Sequence, residues 1–444
     1  MNNHSPKILS VCTHDTGGGA ARAAYRIHIS QKLLGTNCRM FVKEKQTQDP
    51  DIIPLNSFIP SNPFYKAFDW TRTRCNNQLQ HLRWNKYKNR EHVILSDLRG
   101  TDLHGALNKI DYDILHLHWI NNRFIPLKKL PHNKPIIWTL HDSWPFCGVC
   151  HYFLDCQRYQ EECGKCSMLH STDRNDLSHQ IWQKKQSLYS NLNLHIVTPS
   201  HWLAKCAKKS SLFNQFPITV IPNSLDTDVF CPSEKGPSQH WANLRESTLG
   251  KKIILFGAYR ATRDKIKGYD KLLDALQYIS HKGITDKIAL VVFGATSSDL
   301  KINTNIPIHY VGYVRNTEKL VALYNLADVM VVPSLTENLA FSIMESLSCQ
   351  TPVVAFHIGG NSDMIEHKIN GYLAKEKDPA DLAEGILWCI SNNEGNKLGI
   401  AGRKKVLDNF SMEVVGKQYQ QLYTSVYNNY FVKTKSKKRN KKHI

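Results

Sequence analysis

A chain of 444 residues and 50.9 kDa exceeds what one ordinary hydrophobic core organises, so two or three domains are expected and a small peptide module is excluded. Hydrophobic residues at 41% and charged residues at 21% sit near the globular average, which excludes a chain that is disordered or fibrous throughout. The departure is in charge. The 57 Lys and Arg against 38 Asp and Glu leave +19, a field that favours phosphate-bearing partners, whether nucleic acid, anionic membrane or phosphorylated small molecules.

The N-terminus carries a short apolar run with no cleavage-like box, so it is expected to be a first strand rather than a signal peptide. No window approaches the roughly 20 apolar residues of a membrane span, and any membrane contact is expected to be peripheral. Short β-branched runs then alternate with longer amphipathic segments, the pattern of parallel βαβ units. Strands are predicted at residues 8–12, 38–42, 114–118, 136–141, 196–199 and 219–222. The series restarts with residues 253–257, 288–294, 308–311, 329–333 and 352–356. Between the two series, residues 223–251 are polar and broken by Pro232, Gly236 and Pro237, which suits a linker. The expected architecture is α/β, with two doubly wound domains facing across a cleft: residues 1–235, with a Cys-rich insertion at 147–166, and residues 236–411. A C-terminal helix over 412–432 is expected to pack back toward the first domain, and residues 433–444, with seven Lys or Arg and no acid, to form a disordered basic tail.

Removing the tail's seven cations from +19 still leaves +12, so the folded body is itself basic. A second concentration runs over residues 63–90, where Lys66, Arg72, Arg74, Arg83, Lys86, Lys88 and Arg90 are interleaved with Phe64, Tyr65, Phe68, Trp70, Trp84 and Tyr87. Rings at headgroup depth with cations on lipid phosphates make this an interfacial segment; a helical hairpin with buried rings and solvated cations is the alternative.

Three regions carry chemistry. The first strand runs into Thr13-His14-Asp15-Thr16-Gly17-Gly18-Gly19, then a helical pattern. Such glycines let a ligand approach the backbone, and the helix start offers N–H groups to an anion; a plain strand-to-helix turn would look the same. The second is Pro333-Ser334-Leu335-Thr336-Glu337-Asn338-Leu339-Ala340-Phe341-Ser342-Ile343-Met344-Glu345, where two carboxylates eight apart flank a strand-to-helix junction and suit the hydroxyls of a sugar and a ribose. Upstream, Arg260 and Lys267-Gly268 place cations and close backbone at the mouth of the same domain, suited to a diphosphate. The third is Cys147, Cys150, Cys156, Cys163 and Cys166, whose spacing allows a structural zinc site or a set of buried reduced thiols. A Glu or His at a strand end is, taken singly, as often a helix cap.

The ordered set of the Glu337/Glu345 pair, Arg260 with Lys267-Gly268, the glycine loop, Thr198-Pro199-Ser200, Pro222-Asn223-Ser224-Leu225-Asp226, Gly359-Gly360 and Asn370-Gly371 resembles glycosyltransferase family 4, the retaining nucleotide-sugar transferases of GT-B fold, over roughly residues 7–430. Within it the likeness is to bacterial surface-polysaccharide enzymes of the colanic-acid type.

The resemblance implies a hexosyltransferase acting on a nucleotide-sugar donor and a glycan or polyprenyl-diphosphate-linked acceptor in capsule, O-antigen or exopolysaccharide assembly. It implies that Glu345 binds the ribose and Glu337 the donor sugar, with the amides of Asn338, Leu339 and Ala340 facing sugar and diphosphate. Arg260 and Lys267 would hold the diphosphate, aided by Gly17, Gly18 and Gly19, and His141 would stand near the anomeric centre. Many relatives hold the two cations closer than the seven residues here, which makes Arg263 a substitute for Arg260. No catalytic metal is expected. A Cys-rich segment recurs in polysaccharide-associated members, and its likeness singles out Cys150, Cys156, Cys163 and Cys166 for structural zinc, with Cys147 as the extra thiol. The expected location is cytoplasmic, peripheral on the anionic inner face of the plasma membrane.

Two other readings stand beside this one. A nucleotide-sugar epimerase or phosphorylase shares the architecture. A nucleic-acid-binding protein with a zinc module is disfavoured, because the cations follow no known binding motif and the cysteines lie between predicted strands.

Overall fold

A computed structural model of the chain describes residues 5–59, 105–233, 239–298 and 304–440, with residues 62, 64, 70, 71, 74, 75, 78, 82–87 and 90. It divides into two compact units. The first comprises Met1–Pro199, Leu203–Ile221 and Gly416–Ile444; the second comprises Ser200–Trp202 and Pro222–Val415.

The first unit is built on a seven-stranded parallel sheet in the order β3-β2-β1-β4-β5-β6-β7. Its strands are β1 Ile8–His14, β2 Cys38–Glu44, β3 Ile52–Pro54, β4 Ile114–Leu117, β5 Pro135–Thr139, β6 Asn193–Thr198 and β7 Ile218–Val220. Helix α1, Gly19–Leu33, returns the chain from β1 to β2. Its Ala21 and Ala24 pack on Cys12, Met40, Val42 and Ile52, and those small residues let helix and sheet lie close. From Gly416 the C-terminal helix Met412–Asn440 belongs to this unit. Gly416 O accepts from Gln31 Nε2 at 3.0 Å, and a Cβ there would meet Leu34 Cδ1 at 2.6 Å. One and two turns on, Tyr419 and Tyr423 are buried against His116 and Thr139 of β4 and β5.

The second unit carries a six-stranded parallel sheet in the order β10-β9-β8-β11-β12-β13. The strands are β8 Lys252–Gly257, β9 Ile288–Phe293, β10 Ile308–Gly312, β11 Val329–Val332, β12 Val353–Phe356 and β13 Gly371–Ala374. Alternate side chains face opposite ways, and both faces are covered. Ile254, Phe256, Leu290, Val292, Val331 and Val354 meet Leu272 and Leu276 of helix Tyr269–Ser280 and Leu382 and Ile386 of helix Pro379–Ser391. Ile253, Leu255, Val291, Met330, Val353 and Ala355 meet Ile343, Met344 and Leu347 of helix Phe341–Ser348.

Three features differ from expectation. Strands β3 and β13 are additional: both are short edge strands, one ending in Pro54 and one starting at Gly371, so neither shows an apolar run. The division between units falls at Ile221/Pro222, ahead of the expected 235/236. The segment that follows is held by the second unit: Leu225 N donates to Phe410 O at 2.8 Å, Met412 N donates to Leu225 O at 3.1 Å, and Phe230 is buried in that unit's core. The C-terminal helix runs on to Asn440, into the stretch expected to be a disordered tail.

Of residues 63–90, most lie outside the described residues, including Tyr65, Lys66, Phe68, Arg72 and Lys88. Among those described, Trp84 is buried and Tyr87 Oη accepts from Leu177 N at 3.1 Å, whereas Phe64 and Trp70 are exposed. No helix among the described residues is long and apolar enough to cross a membrane.

Candidate active site

In each sheet the strand order reverses direction once, between β1 and β4 and between β8 and β11. Loops leaving the carboxyl ends of such strand pairs diverge to opposite faces and open a crevice for ligands. The loops after β1, β8 and β11 are those that carry Gly17–Gly19, Arg260–Gly268 and Pro333–Ala340.

In the second unit, backbone contacts knit the loops together. After β8 a turn closes with Arg263 N and Asp264 N donating to Arg260 O at 2.9 and 3.0 Å. Asp264 Oδ1 then accepts from Ile266 N at 3.1 Å, starting the short 3-10 turn Lys265–Lys267. Leu335 N donates to Ile266 O at 2.8 Å, and a Cβ on Gly268 would lie 1.9 Å from Pro333 O. Only glycine fits that approach. The consequence is an ion pair: Lys267 Nζ lies 3.0 Å from Glu337 Oε2, with the two side chains 21% and 14% exposed. Gly359 braces the same loop from the other side, since its Cβ would lie 1.8 Å from Glu337 O, and Gly360 N donates to that oxygen at 3.3 Å. Asn338 Oδ1 accepts from Ser200 Oγ at 2.8 Å. Leu339 and Ala340 are buried, and Ala340 stands as N-cap of Phe341–Ser348 without a cap from its own side chain.

Glu345 sits in the second turn of that helix and is 2% exposed. Tyr324, buried and wedged between Phe230 and Phe293, donates its hydroxyl to Glu345 Oε2 at 3.0 Å. The sequence held no signal for this bond, because Tyr324 looks like any core aromatic of its helix. Arg260 is not drawn into the Lys267–Glu337 pair. It is exposed, at φ 54°, with its guanidinium carbon 5.6 Å from the centre of the Tyr259 ring, and Arg263 is exposed as well.

In the first unit, Gly17 and Gly18 have φ of 83° and 111°, and no atom of the described residues lies within 4 Å of a Cβ built on Gly17, Gly18 or Gly19. The loop is anchored through its neighbour: buried Asp15 accepts from Gln46 N, Thr47 N and Thr47 Oγ1 at 2.8–3.0 Å. His141 follows β5. Its Nε2 lies 3.0 Å from His118 Nδ1, and burial lowers its pKa to about 4. The adjacent Asp142 accepts from Trp119 Nε1 at 3.0 Å and Trp144 N at 2.9 Å, while burial pushes its pKa up to about 6.

The Cys-rich segment folds around a lysine. Lys185, wholly buried, donates from Nζ to Trp144 O, to Cys147 O at 2.7 Å and to Gly148 O at 3.1 Å, and sits 3.7 Å above the Trp144 ring. In sequence it is indistinguishable from its exposed neighbour Lys184. Asp176 caps helix Leu177–Tyr189 and also accepts from Cys166 N at 2.8 Å. Cys163 Sγ accepts from Gly148 N at 3.2 Å. A hydrogen bond from the Cys147 thiol lowers the Cys150 pKa, and burial raises that of Cys147 well above its usual value. Cys150, Cys163 and Cys166 are buried and Cys156 is half-buried. Among the described residues no group of three or more His, Cys, Asp or Glu side chains is placed to hold a metal ion.

The sequence pattern of Glycosyltransferase Family 4 matches residues 17–229, and that of Glycosyl transferases group 1 matches residues 250–392. The putative colanic acid biosynthesis glycosyl transferase WcaC of Escherichia coli is 26% identical over 66% of this chain and 73% of its own. Two solved structures share the fold. A glycosyltransferase from Rickettsia africae is 16% identical with a TM-score of 0.63, covering 96% of this chain and 100% of its own. Anabaena HepE, solved in complex with UDP and glucose, is 15% identical with a TM-score of 0.57, covering 95% of this chain and 100% of its own. Two parallel α/β units, the paired loops at β8 and β11 and both sequence patterns lead to one assignment: the chain is an enzyme of GT-B fold and belongs to the glycosyltransferases of family 4.

Proposed function

We propose that the chain moves a sugar, with retention of configuration, from a nucleotide-diphosphate donor to a glycan or polyprenyl-diphosphate-linked acceptor during cell-surface polysaccharide assembly. The observation that carries this reading is the Lys267–Glu337 ion pair, held at 3.0 Å by loops that meet backbone to backbone. An ammonium shared with a carboxylate is placed to take up the charge of a departing diphosphate, while the carboxylate accepts hydrogen bonds from sugar hydroxyls. Glu345 reads the ribose, and Arg260 or Arg263 adds a second cation to the diphosphate from an exposed turn. To the same reaction we assign the amides of Asn338, Leu339 and Ala340 and, from the first unit, His141 and the open Gly17–Gly19 turn. With no protein nucleophile assigned, the leaving diphosphate takes the proton of the attacking hydroxyl, and the protein contributes positioning and charge neutralisation. The likeness to a colanic acid enzyme and the +19 charge support a surface-glycan pathway on an anionic membrane.

The test is nucleotide release from a panel of nucleotide sugars with a membrane extract as acceptor source, comparing the native chain with Glu337→Ala and Lys267→Ala. Turnover of one donor, lost in both variants, is expected. Native activity in both variants overturns the assignment, and conversion of a donor without transfer favours an epimerase or phosphorylase. For the membrane, a chain ending at residue 432 is expected to sediment less with anionic vesicles while turning over a soluble acceptor at the native rate.

A further inference from the structure

His141 is backed by a second imidazole, and we infer that this residue, His118, is a positioning residue that holds His141 as the neutral tautomer with its proton on Nδ1. The inference rests on the reading of His141 as a group beside the reacting sugar. His118 follows β4 and is 2% exposed, its ring stacked on that of His141 at 5.3 Å and packed against His116 at 4.2 Å. Between His118 Nδ1 and His141 Nε2, 3.0 Å apart, there is room for one proton. The other ring nitrogen of His118, Nε2, is buried and has no hydrogen-bond partner among the described residues.

That orphan nitrogen decides the direction of the bond. If His141 Nε2 donated, neutral His118 would carry its own proton on Nε2, leaving a buried N–H with nothing to receive it. Orphaned buried donors are the rarer and costlier case. If instead His118 Nδ1 donates, its Nε2 is left with only a bare lone pair, and His141 accepts at Nε2 and keeps its proton on Nδ1. Charging His118 does not help, since an imidazolium would bury its Nε2–H unpaired and add a charge to the same buried site. His116 cannot relieve it, because its two nitrogens are engaged by Tyr423 Oη and Thr139 Oγ1, each at 2.8 Å.

The consequence is chemical. With Nε2 committed to His118, His141 acts as a donor through Nδ1–H and does not take a proton at Nε2. This agrees with a transfer in which the acceptor's proton goes to the leaving diphosphate.

The experiment is a long-range proton–nitrogen correlation spectrum of the full-length chain with ring-15N histidine, with His141→Ala and His118→Asn used for assignment. His141 is expected to show a protonated Nδ1 and a bare Nε2. His118→Phe keeps a ring but no nitrogen; it is expected to release His141 to the Nε2–H form and to lower kcat about tenfold with donor KM within about twofold. His118→Asn, whose amide restores a donor, is expected to keep the Nδ1–H form and most of the turnover. An Nε2–H signal for His141 in the native chain overturns the inference, and that spectrum decides even if His118→Phe does not fold. An unchanged tautomer in folded His118→Phe overturns it too. If the tautomers behave as stated but His141→Ala turns over normally, the reading of His141 at the sugar fails while the tautomer assignment stands.

Discussion

The glycines at the two candidate loop sets stand in opposite surroundings. In the second unit, a Cβ at Gly268 or Gly359 would lie within 2 Å of the backbone carbonyl of Pro333 or Glu337. In the first, no atom of the described residues lies within 4 Å of a Cβ at Gly17, Gly18 or Gly19. One set lets loops press together and fix the carboxylate of Glu337. The other shapes a turn whose flank is left open. The charged groups differ in the same way: Lys267 and Glu337 keep some exposure as a pair, whereas the first unit buries Lys185 and a file of neutral histidines. Rigid backbone with accessible charge is the arrangement for holding a phosphate. Buried polar groups with fixed partners instead set the orientation of one side chain, and their cost appears as stability.

That contrast can be broken by pH. Burial depresses the pKa of His116 to about 3 and of His141 to about 4, and that of His118 well below its usual value of 6.5. The unfolded chain therefore binds more protons between about pH 4 and 6.5, and stability is lost as pH falls through that window. Asp142, raised to about 6, acts in the opposite sense, its stabilisation being lost as pH rises through about 6. Between pH 7 and 5 these histidines, joined by buried His28 whose pKa burial lowers to about 4, outweigh Asp142, and a net loss of several kcal/mol is expected. Urea unfolding of the full-length chain at the two pH values checks this.

Next in size is Lys185→Met, which strands three buried carbonyls and is expected to cost about 3 kcal/mol, while Lys184→Met on the exposed side changes stability by less than about 0.5 kcal/mol. Equal urea midpoints for the two variants would remove the central role given to Lys185. Lys267→Ala is expected to lower turnover about 100-fold, near 2.7 kcal/mol, with little change in thermal midpoint. Combining it with Glu337→Ala should cost far less than the two losses summed, because the residues share one contact.

Smaller effects sharpen the glycine comparison. Gly359→Ala, at φ 53° and against Glu337 O, is expected to destabilise by about 2 kcal/mol, whereas Gly19→Ala should change stability by no more than about 0.5 kcal/mol. Smallest is Tyr324→Phe, which removes one hydrogen bond to Glu345 and is expected to raise donor KM by up to about tenfold at unchanged kcat. A loss confined to kcat would separate Glu345 from ribose binding.

Much of the second unit was legible because its site is local. Thirteen consecutive residues from Pro333 to Glu345 follow directly on β11 and contain a turn, a helix start and both carboxylates, and residue order alone places them together. Lys267 was legible as a cation before a glycine, but its partner was not, since the bond joins residues 70 apart in sequence. Arg260 shows the limit of spacing: seven residues before Lys267, it falls on an exposed turn beside its own neighbour Tyr259.

By itself the sequence determined the class of the fold, the order of its loops and the family, because hydrophobic period and glycine position are properties of neighbouring residues. Only the tertiary structure decided where one unit ends, because residues 223–231 are polar yet pin themselves to the second unit through Leu225 and Phe230. It alone distinguished Lys185 from Lys184 and stacked His116, His118 and His141 into one file. Burial and hydrogen-bond direction depend on atoms that long stretches of chain bring to one point, and no local pattern records them.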